Sequence, residues 1–298
     1  MLRNEKMFAA LKKEGNGLEI GPSYDPIAPK REGFNVKVMD HASQQELQEK
    51  YKSEGVDVNN IEFVDYVWRG ESYKELVGNE RFDWIIASHV IEHVPDLVQF
   101  INSCSEVLKD DGVLSLAVPD ARYCFDQFRP PSGLSNVIDT HLSGATRHSA
   151  GTILEAELNA STRDGRVAWG SGHKGENKFL CSPEVAVDKF KRAQSSEDYV
   201  DAHKWCFTPS SFRLILSDLK MLGLTEMREV SFFGTEGCEF ILALSRQSLP
   251  GHVVPDRLQL SEAAQKEMAE PFIISKPKAR MKSRFEKWKR SIRKRLHA

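Results

Sequence analysis

Hydrophobic positions along the chain change period several times, and each change marks an element. A short polar helix is predicted over Met7 to Lys13, and Gly17-Leu18-Glu19-Ile20-Gly21 follows as a brief buried strand that stops at a glycine. Pro22, Pro26 and Pro29 forbid a regular helix directly behind it. A second strand is expected from Phe34 to Met39, ending at Asp40, then a helix from Gln44 to Glu54, then a third strand from Ile61 to Val64, ending at Asp65. Phe82 to Ala87 is apolar enough for a strand covered on both faces. Leu97, Phe100, Ile101, Cys104 and Leu108 recur at helical spacing, and Asp110-Asp111-Gly112 closes that helix. Val113 to Val118 is the fifth strand, ended by Pro119-Asp120.

From Ala121 to about Lys204 the pattern turns mixed and polar, with helix signals at Ala150 to Ala160 and Pro183 to Ala193. Regularity returns with Thr208-Pro209, which opens a helix through Leu222. Glu226 to Phe233 and Glu239 to Leu244 flank Gly234-Thr235-Glu236-Gly237, a hairpin signal. Strands alternating with helices specify an α/β fold with right-handed crossovers. The expectation is a doubly wound, Rossmann-like, mostly parallel sheet of seven strands with a terminal antiparallel hairpin. Residues 1–248 would form that domain, with 121–204 a cap inserted after the fifth strand, and 249–298 a linker and helical tail.

Charge changes this picture at one place. The 298 residues carry 41 basic and 43 acidic side chains, a formal −2. Eleven of the basic residues lie between Lys276 and Arg295 beside a single acid, Glu286, so an acidic body carries a basic tail. Met281, Phe285, Trp288, Ile292 and Leu296 recur at steps of three or four within that tail, the pattern of a basic amphipathic helix. An anionic membrane surface reached through 276–296 fits it, and so does an acidic face of a protein. No apolar run approaches the ~20 residues that span a bilayer, so the expected location is cytoplasmic, with at most peripheral attachment to the inner membrane surface. Five scattered cysteines without a CxxC pair, and no secretory leader, suit reduced thiols.

In an open α/β sheet, ligands sit beyond the carboxyl ends of the strands, which singles out Gly21, Asp40, Asp65, Ser88 to His93 and Asp120. Asp40 follows Glu19 by 21 residues, close to the ~20-residue offset of a ribose-binding carboxylate. Leu18-Glu19-Ile20-Gly21, Val38-Met39-Asp40, Phe82 to Ser88, Val90-Ile91-Glu92-His93-Val94 and Leu108 to Pro119 together resemble the motifs of class I S-adenosylmethionine-dependent methyltransferases, in order and spacing. The resemblance covers roughly Gly17 to Asp120 and Trp205 to Ser245. It implies S-adenosyl-L-methionine as cofactor. Glu19 and Gly21 would then line its methionine end, Asp40 would bind its ribose, Asp65 would stand near adenine, and Ser88 and His89 would approach the amino-acid portion or the sulfonium. The chain departs from the family's glycine-rich loop at Ser23 and Asp25, where further glycines are usual. A pyrophosphate-bearing cofactor would suffer from that loss, whereas S-adenosylmethionine has no phosphate to approach.

Two other motif matches point elsewhere. His89-Val90-Ile91-Glu92-His93 is a literal H-x-x-E-H, but a strand runs into His89 and Pro95 opposes the helix that a zinc peptidase needs, so no metal is expected. Gly170-Ser171-Gly172-His173-Lys174-Gly175 is a literal G-x-G-x-x-G without a preceding strand or following helix, and reads as a loop. Methyl transfer to a hydroxyl requires alignment and a base. His89, His93 and His203 are the foremost candidates, ahead of His141 and His148. The cap, with Arg122-Tyr123-Cys124-Phe125 and Phe128-Arg129, is rich in aromatic and hydrogen-bonding groups that suit a sugar. The cap and the segment from His203 to Phe212 look like those of bacterial methyltransferases associated with surface-polysaccharide assembly, which implies O-methylation of a sugar or glycan intermediate. A small-molecule or quinone-like acceptor, and a noncatalytic cofactor-fold binding module, remain as alternatives. A nucleic-acid substrate would need a basic face beside the crevice and usually an Asn/Asp-Pro-Pro-Tyr motif after the fourth strand, and it is not expected, since Ser88-His89-Val90-Ile91 is no such motif.

Overall fold

A computed structural model describes residues 1–196 and 199–269. The basic stripe over 276–296 lies outside the described residues. Nine strands are described, β1 (Gly17–Ile20), β2 (Val36–Asp40), β3 (Tyr66–Val67), β4 (Phe82–Ser88), β5 (Leu108–Pro119), β6 (Ser161–Arg163), β7 (Asn177–Phe179), β8 (Arg228–Glu236) and β9 (Glu239–Ser245). Nine helices accompany them, α1 (Arg3–Phe8), α2 (Gln44–Tyr51), α3 (Tyr73–Val77), α4 (Leu97–Val107), α5 (Leu134–Leu142), α6 (Ala150–Asn159), α7 (Pro183–Ser195), α8 (Pro209–Met221) and α9 (Arg257–Ala269).

Seven strands form one sheet in the order β3-β2-β1-β4-β5-β9-β8, with every pair parallel as far as β5 and the β8–β9 hairpin antiparallel. The strand order reverses between β1 and β4, so the crevice outside their carboxyl ends is the natural ligand position. Alternation along the strands divides the core. Ile85 and Ala87 of β4, Leu18 and Ile20 of β1, and Leu114, Leu116 and Val118 of β5 pack on one face against α3, α4 and α8. Trp84, Ile86, Ala117 and Ile241 point to the other face, where Met7 and Phe8 of α1 meet them. A register shift between Phe82 and Trp84 puts Phe82 on the side of Ile85 and Ala87.

Several boundaries move. The first helix covers Arg3–Phe8 rather than Met7 to Lys13, because Met7 and Phe8 are needed against Trp84 and Phe34, the Phe8 ring lying 5.2 Å from that of Phe34. Residues 61–64 are extended but unpaired, and the ladder with β2 forms only at Tyr66 and Val67, so Asp65 precedes the third strand instead of ending it. Arg257–Ala269, expected within a linker, is a helix docked on α8. Arg257 forks onto Asp218 at 2.8 and 3.1 Å, Leu260 is buried, and the Glu267 carboxylate accepts from the backbone N–H of Ser210 at 2.9 Å and its hydroxyl at 2.7 Å. An acid beside the first turn of α8 satisfies donors that have no partner within the helix. Among the described residues no helix is long and apolar enough to cross a membrane.

The segment between β5 and α8 carries α5, α6, α7 and the β6–β7 hairpin, with the glycine-rich stretch 170–175 as the hairpin's connection. It returns to the sheet through a parallel bridge between Asp120 and Phe207.

Gly17 has no room for a side chain, since a Cβ there would stand 2.1 Å from the Trp84 indole. Gly17→Ala is expected to destabilise the chain by about 1–3 kcal/mol through overpacking, read as a lower midpoint in urea unfolding. An unchanged midpoint would mean that the indole moves aside freely.

Candidate cofactor and acceptor site

The loop after β1 turns at Gly21, with φ 63°, and its N–H donates to Met39 O at 2.8 Å. A Cβ at Gly21 would lie 2.9 Å from Val90 Cγ2, so glycine is required both for the turn and for the approach of the loop after β4. Ser23 adopts φ 50°, the left-handed conformation that the missing glycine would take without strain. Glu19 is buried, and its two oxygens accept the N–H groups of Ile27 at 2.6 Å and Ala28 at 3.0 Å. It thereby folds the loop back on the sheet. Burial disfavours its charge more than those two donors favour it, pushing the carboxyl up to about 7.

Asp40, at the end of β2, is also buried. Its Oδ1 accepts from the N–H of His41 at 2.7 Å and lies 2.6 Å from His41 Nδ1. Its Oδ2 is buried without a hydrogen-bond partner among the described residues, as is the Ser23 hydroxyl. Unpartnered buried acceptors are costly and rare, and here two fall beside the crevice where a polyhydroxylated ligand would satisfy them. These residues fit S-adenosylmethionine. Asp65 is differently placed. Its Oδ2 accepts from Lys30 Nζ at 2.5 Å and the Val38 N–H at 2.8 Å, Oδ1 lies 3.3 Å from Lys37 Nζ, and these partners hold its carboxyl below the ordinary range despite burial. Its partners lie on β2 and on the loop before it.

The chain after β4 forms the acceptor side. Ser88 Oγ accepts from the Arg3 guanidinium at 2.7 Å, and Arg3 also forks onto Glu239 of β9 at 2.5 and 2.9 Å. His89 has φ 55°, uncommon for a side chain of this size, and places Nε2 2.7 Å from Glu239 Oε2. Burial disfavours the His89 cation, but the carboxylates of Glu239 and Glu92 outweigh it and push the imidazole up to about 9. Ile91–His93 is a single 3-10 turn, so the H-x-x-E-H segment forms no continuing helix.

Glu92 and His93 meet the returning end of the inserted segment there. Lys204 and Trp205 donate their N–H groups to Glu92 O at 2.8 and 3.2 Å, and the Trp205 indole donates to Val94 O at 2.7 Å. His203 is thereby delivered against His93, their rings edge to face with centroids 4.5 Å apart. Its Nδ1 lies 2.5 Å from Asp126 Oδ2, and Asp126 in turn receives Arg129 at 2.9 Å. The contacts from His203 and Arg129 override burial and hold the Asp126 carboxyl down at about 2. His93 Nδ1 is 2.8 Å from Asp201. His148 is buried beside Tyr199, whose hydroxyl donates to His93 O at 3.0 Å, and burial brings this imidazole down to about 4. His141 instead pairs with Asp96, the cap of α4, at 2.8 Å.

The structure thus brings His89, His93 and His203 together, with Glu92 among them, and places Glu19, Gly21 and Asp40 at the neighbouring strand ends. Arg3, Asp126, Asp201 and Glu239 were not foreseen. Asp126 and Arg129 did carry a signal, a charged pair three apart in and just after the aromatic run Tyr123 to Phe128. Arg3 and Glu239 had none, because their pairing depends on the sheet order. A cavity of about 440 Å³ lined by Pro131, Ser211, Ala264, Gln265, Met268 and Ala269 shares no residue with this site.

Residues 2–161 match the family described as methyltransferase domain. A mitochondrial ubiquinone biosynthesis O-methyltransferase of Bos taurus is 30% identical over 98 residues, covering 25% of this chain and 26% of that protein. The ubiquinone biosynthesis O-methyltransferase of Rhodopseudomonas palustris (strain HaA2) is 37% identical over 54 residues, covering 18% and 21%. The match therefore spans about a quarter or less of the length of these curated relatives. Among solved structures, the CcbJ methyltransferase from Streptomyces caelestis aligns over 80% of this chain and 86% of its own, at 12% identity and a TM-score of 0.40.

The raised Glu19 carboxyl sets a pH dependence. A native-state value of about 7 against 4.5 means that the folded chain holds this proton more tightly, so its contribution is full below pH 4.5 and lost as pH rises to about 7. Glu19→Gln carries no such proton, so the stability difference between variant and parent should shift toward the variant across that window in urea titrations. A difference that is flat with pH would count against the raised value.

Proposed function

Because this chain belongs to the methyltransferase-domain family, the family of S-adenosylmethionine-dependent methyltransferases, we propose that it methylates a hydroxyl of a polar acceptor, a sugar or glycan intermediate. When bound, the cofactor supplies a methyl group activated on a sulfonium. Asp40 Oδ2, at the end of β2, would accept from its ribose, and Ser23 and the loop that Glu19 folds would wall its amino-acid end. The chain's remaining part is to orient the acceptor, remove its proton and exclude water. One observation carries the oxygen acceptor. Three histidines stand at the crevice, each with one ring nitrogen held by a carboxylate, His89 by Glu239, His93 by Asp201 and His203 by Asp126. A carboxylate on one nitrogen fixes the ring, so His93 or His203 would present its Nε2 to the acceptor hydroxyl, whereas His89, pushed up to about 9, is already cationic near neutral pH and would hold rather than deprotonate a ligand. Tyr199 beside them adds a hydroxyl to this wall, which supports a polyhydroxylated acceptor.

A quinone-like phenol is the second reading, favoured by what the two ubiquinone O-methyltransferase relatives are named for. The two differ in product. Extracts of cells with the intact chain and with Asp40→Ala should differ by one methyl group on a glycan species under mass spectrometry, and a methyl-dependent change confined to quinone precursors would replace the sugar by the phenol.

Asp40→Ala removes a charged acceptor and is expected to weaken S-adenosylmethionine binding about tenfold or more in calorimetry, with the melting temperature of the free chain kept or raised because an unpartnered buried oxygen is gone. Undiminished binding would remove Asp40 from the cofactor site. The basic stripe over 276–296 supports an anionic partner, with a lipid surface as the proposed one. A chain ending at Pro271 keeps α9, so equal sedimentation of full and shortened chains with anionic vesicles would reject the membrane.

A further inference from the structure

We propose that Glu92, His93 and His203 form a binding site for one divalent transition-metal ion, with an open coordination position for the acceptor oxygen. The Glu92 side chain is fully buried and neither carboxylate oxygen has a hydrogen-bond partner among the described residues. A buried carboxylate left in that condition is expensive, and a cation is the strongest way of satisfying it. Three imidazole nitrogens face the same oxygen, and His89 Nδ1, whose ring is held through Nε2 by Glu239, is 3.5 Å from Glu92 Oε1. His93 Nε2 and His203 Nε2 each lie 3.9 Å from Glu92 Oε1, and one ligand atom from each of the three residues falls within 4.8 Å of the others. Ligand atoms around a tetrahedral ion with bonds of about 2.0–2.1 Å are about 3.3 Å apart, so side-chain adjustments of about 0.6 to 1.5 Å would close the set.

The outer contacts fit as well. Each converging ring has its opposite nitrogen on a carboxylate, His93 Nδ1 on Asp201 at 2.8 Å and His203 Nδ1 on Asp126 at 2.5 Å. That carboxylate–histidine arrangement fixes the tautomer so that the second nitrogen presents a lone pair, the usual outer shell of a metal-bound histidine. The H-x-x-E-H match failed as a peptidase because its helix does not form. The 3-10 turn that replaces the helix, together with the hydrogen bonds from Lys204 and Trp205, brings in His203 as the third ligand from the inserted segment. Two imidazoles and one carboxylate favour a first-row transition ion over Mg²⁺ or Ca²⁺, which prefer oxygen. Three protein ligands leave a position open, as in catalytic sites. With the ion bound, His93 and His203 act as ligands in place of a base, and an acceptor hydroxyl on the open position would lose its proton to solvent more readily, since the ion stabilises the oxygen anion. That role rests on the methyl-transfer reading, whereas the binding of the ion does not.

The untagged 298-residue chain, stripped with a chelator, would be titrated with Zn²⁺ and separately with Mn²⁺ by calorimetry, and its melting temperature followed with and without ion. The expected result is saturable uptake of one equivalent per chain with a raised melting temperature. Uptake should weaken about tenfold or more in Glu92→Gln and in His203→Asn, and stay unchanged in His252→Ala, which removes a histidine paired elsewhere with Glu229. A Glu92 that served only the His89 ring 3.5 Å from it would lower the metal-free melting temperature in Glu92→Gln and leave metal uptake unchanged, which would overturn the proposal. Absence of saturable uptake by the parent, or equal uptake by both ligand variants, overturns the proposal. S-adenosylmethionine titrated into the same stripped sample separates the two readings. Cofactor binding without metal uptake ends the ion site alone, and metal uptake without cofactor binding ends the methyl-transfer reading alone.

Discussion

The carbonyl oxygen of Glu92 receives two backbone donors from the far end of the inserted segment, and the rest of the acceptor side depends on that clamp. The turn after β4 would otherwise end as an exposed loop, and the chain from β5 to α8 would have no fixed point at the crevice. With Lys204 and Trp205 tied to Glu92, and the Trp205 ring buried among core residues, His203 arrives at one position and in one orientation. Asp126 and Arg129 come with it, since Arg129 also donates to His203 O at 2.7 Å. A short backbone contact thus sets the geometry of several side chains that are distant in sequence.

Charge on this side of the molecule is organised in closed groups. Arg3, His89 and Glu239 form one, and Asp126, Arg129 and His203 another. Each member is wholly or largely removed from water, where an isolated ion would be driven to neutrality. Pairing reverses that tendency, which is why Asp126 and Glu239 lie below the ordinary carboxylate range despite deep burial. Such groups resist being taken apart one member at a time, because the partner left behind keeps its desolvation cost.

The central strands and the helices α2, α4, α6, α7 and α8 were legible because their own apolar periodicity dictates them. Asp40 was legible for a related reason, since its distance from Glu19 follows from one strand, one helical length and a second strand. The short elements were harder. β3 is only two residues long, and its pairing is decided by where β2 ends, so the apolar run from Ile61 to Val64 pointed to the wrong side of Asp65. α9 shows little periodicity, with its attachment made by Arg257 and Glu267 to partners on α8 that no local pattern names. The acceptor side was partly legible: His89, His93 and His203 were visible as residue types, but their grouping around Glu92 depends on a contact between segments more than a hundred residues apart in the chain.

The loop after β1 turns on a single glycine, Gly21, and Ser23 takes up a left-handed backbone behind it. Each glycine replaced by a residue with a side chain narrows the conformations available to the disordered loop, so ordering it costs less entropy. Strain at Ser23 is the counterweight, a local cost carried by the folded chain whether or not a ligand is present. The loop is then shaped before the cofactor arrives, and binding would need little further rigidification. Such a loop should favour a cofactor that fits its existing contour and adapt poorly to a bulkier analogue.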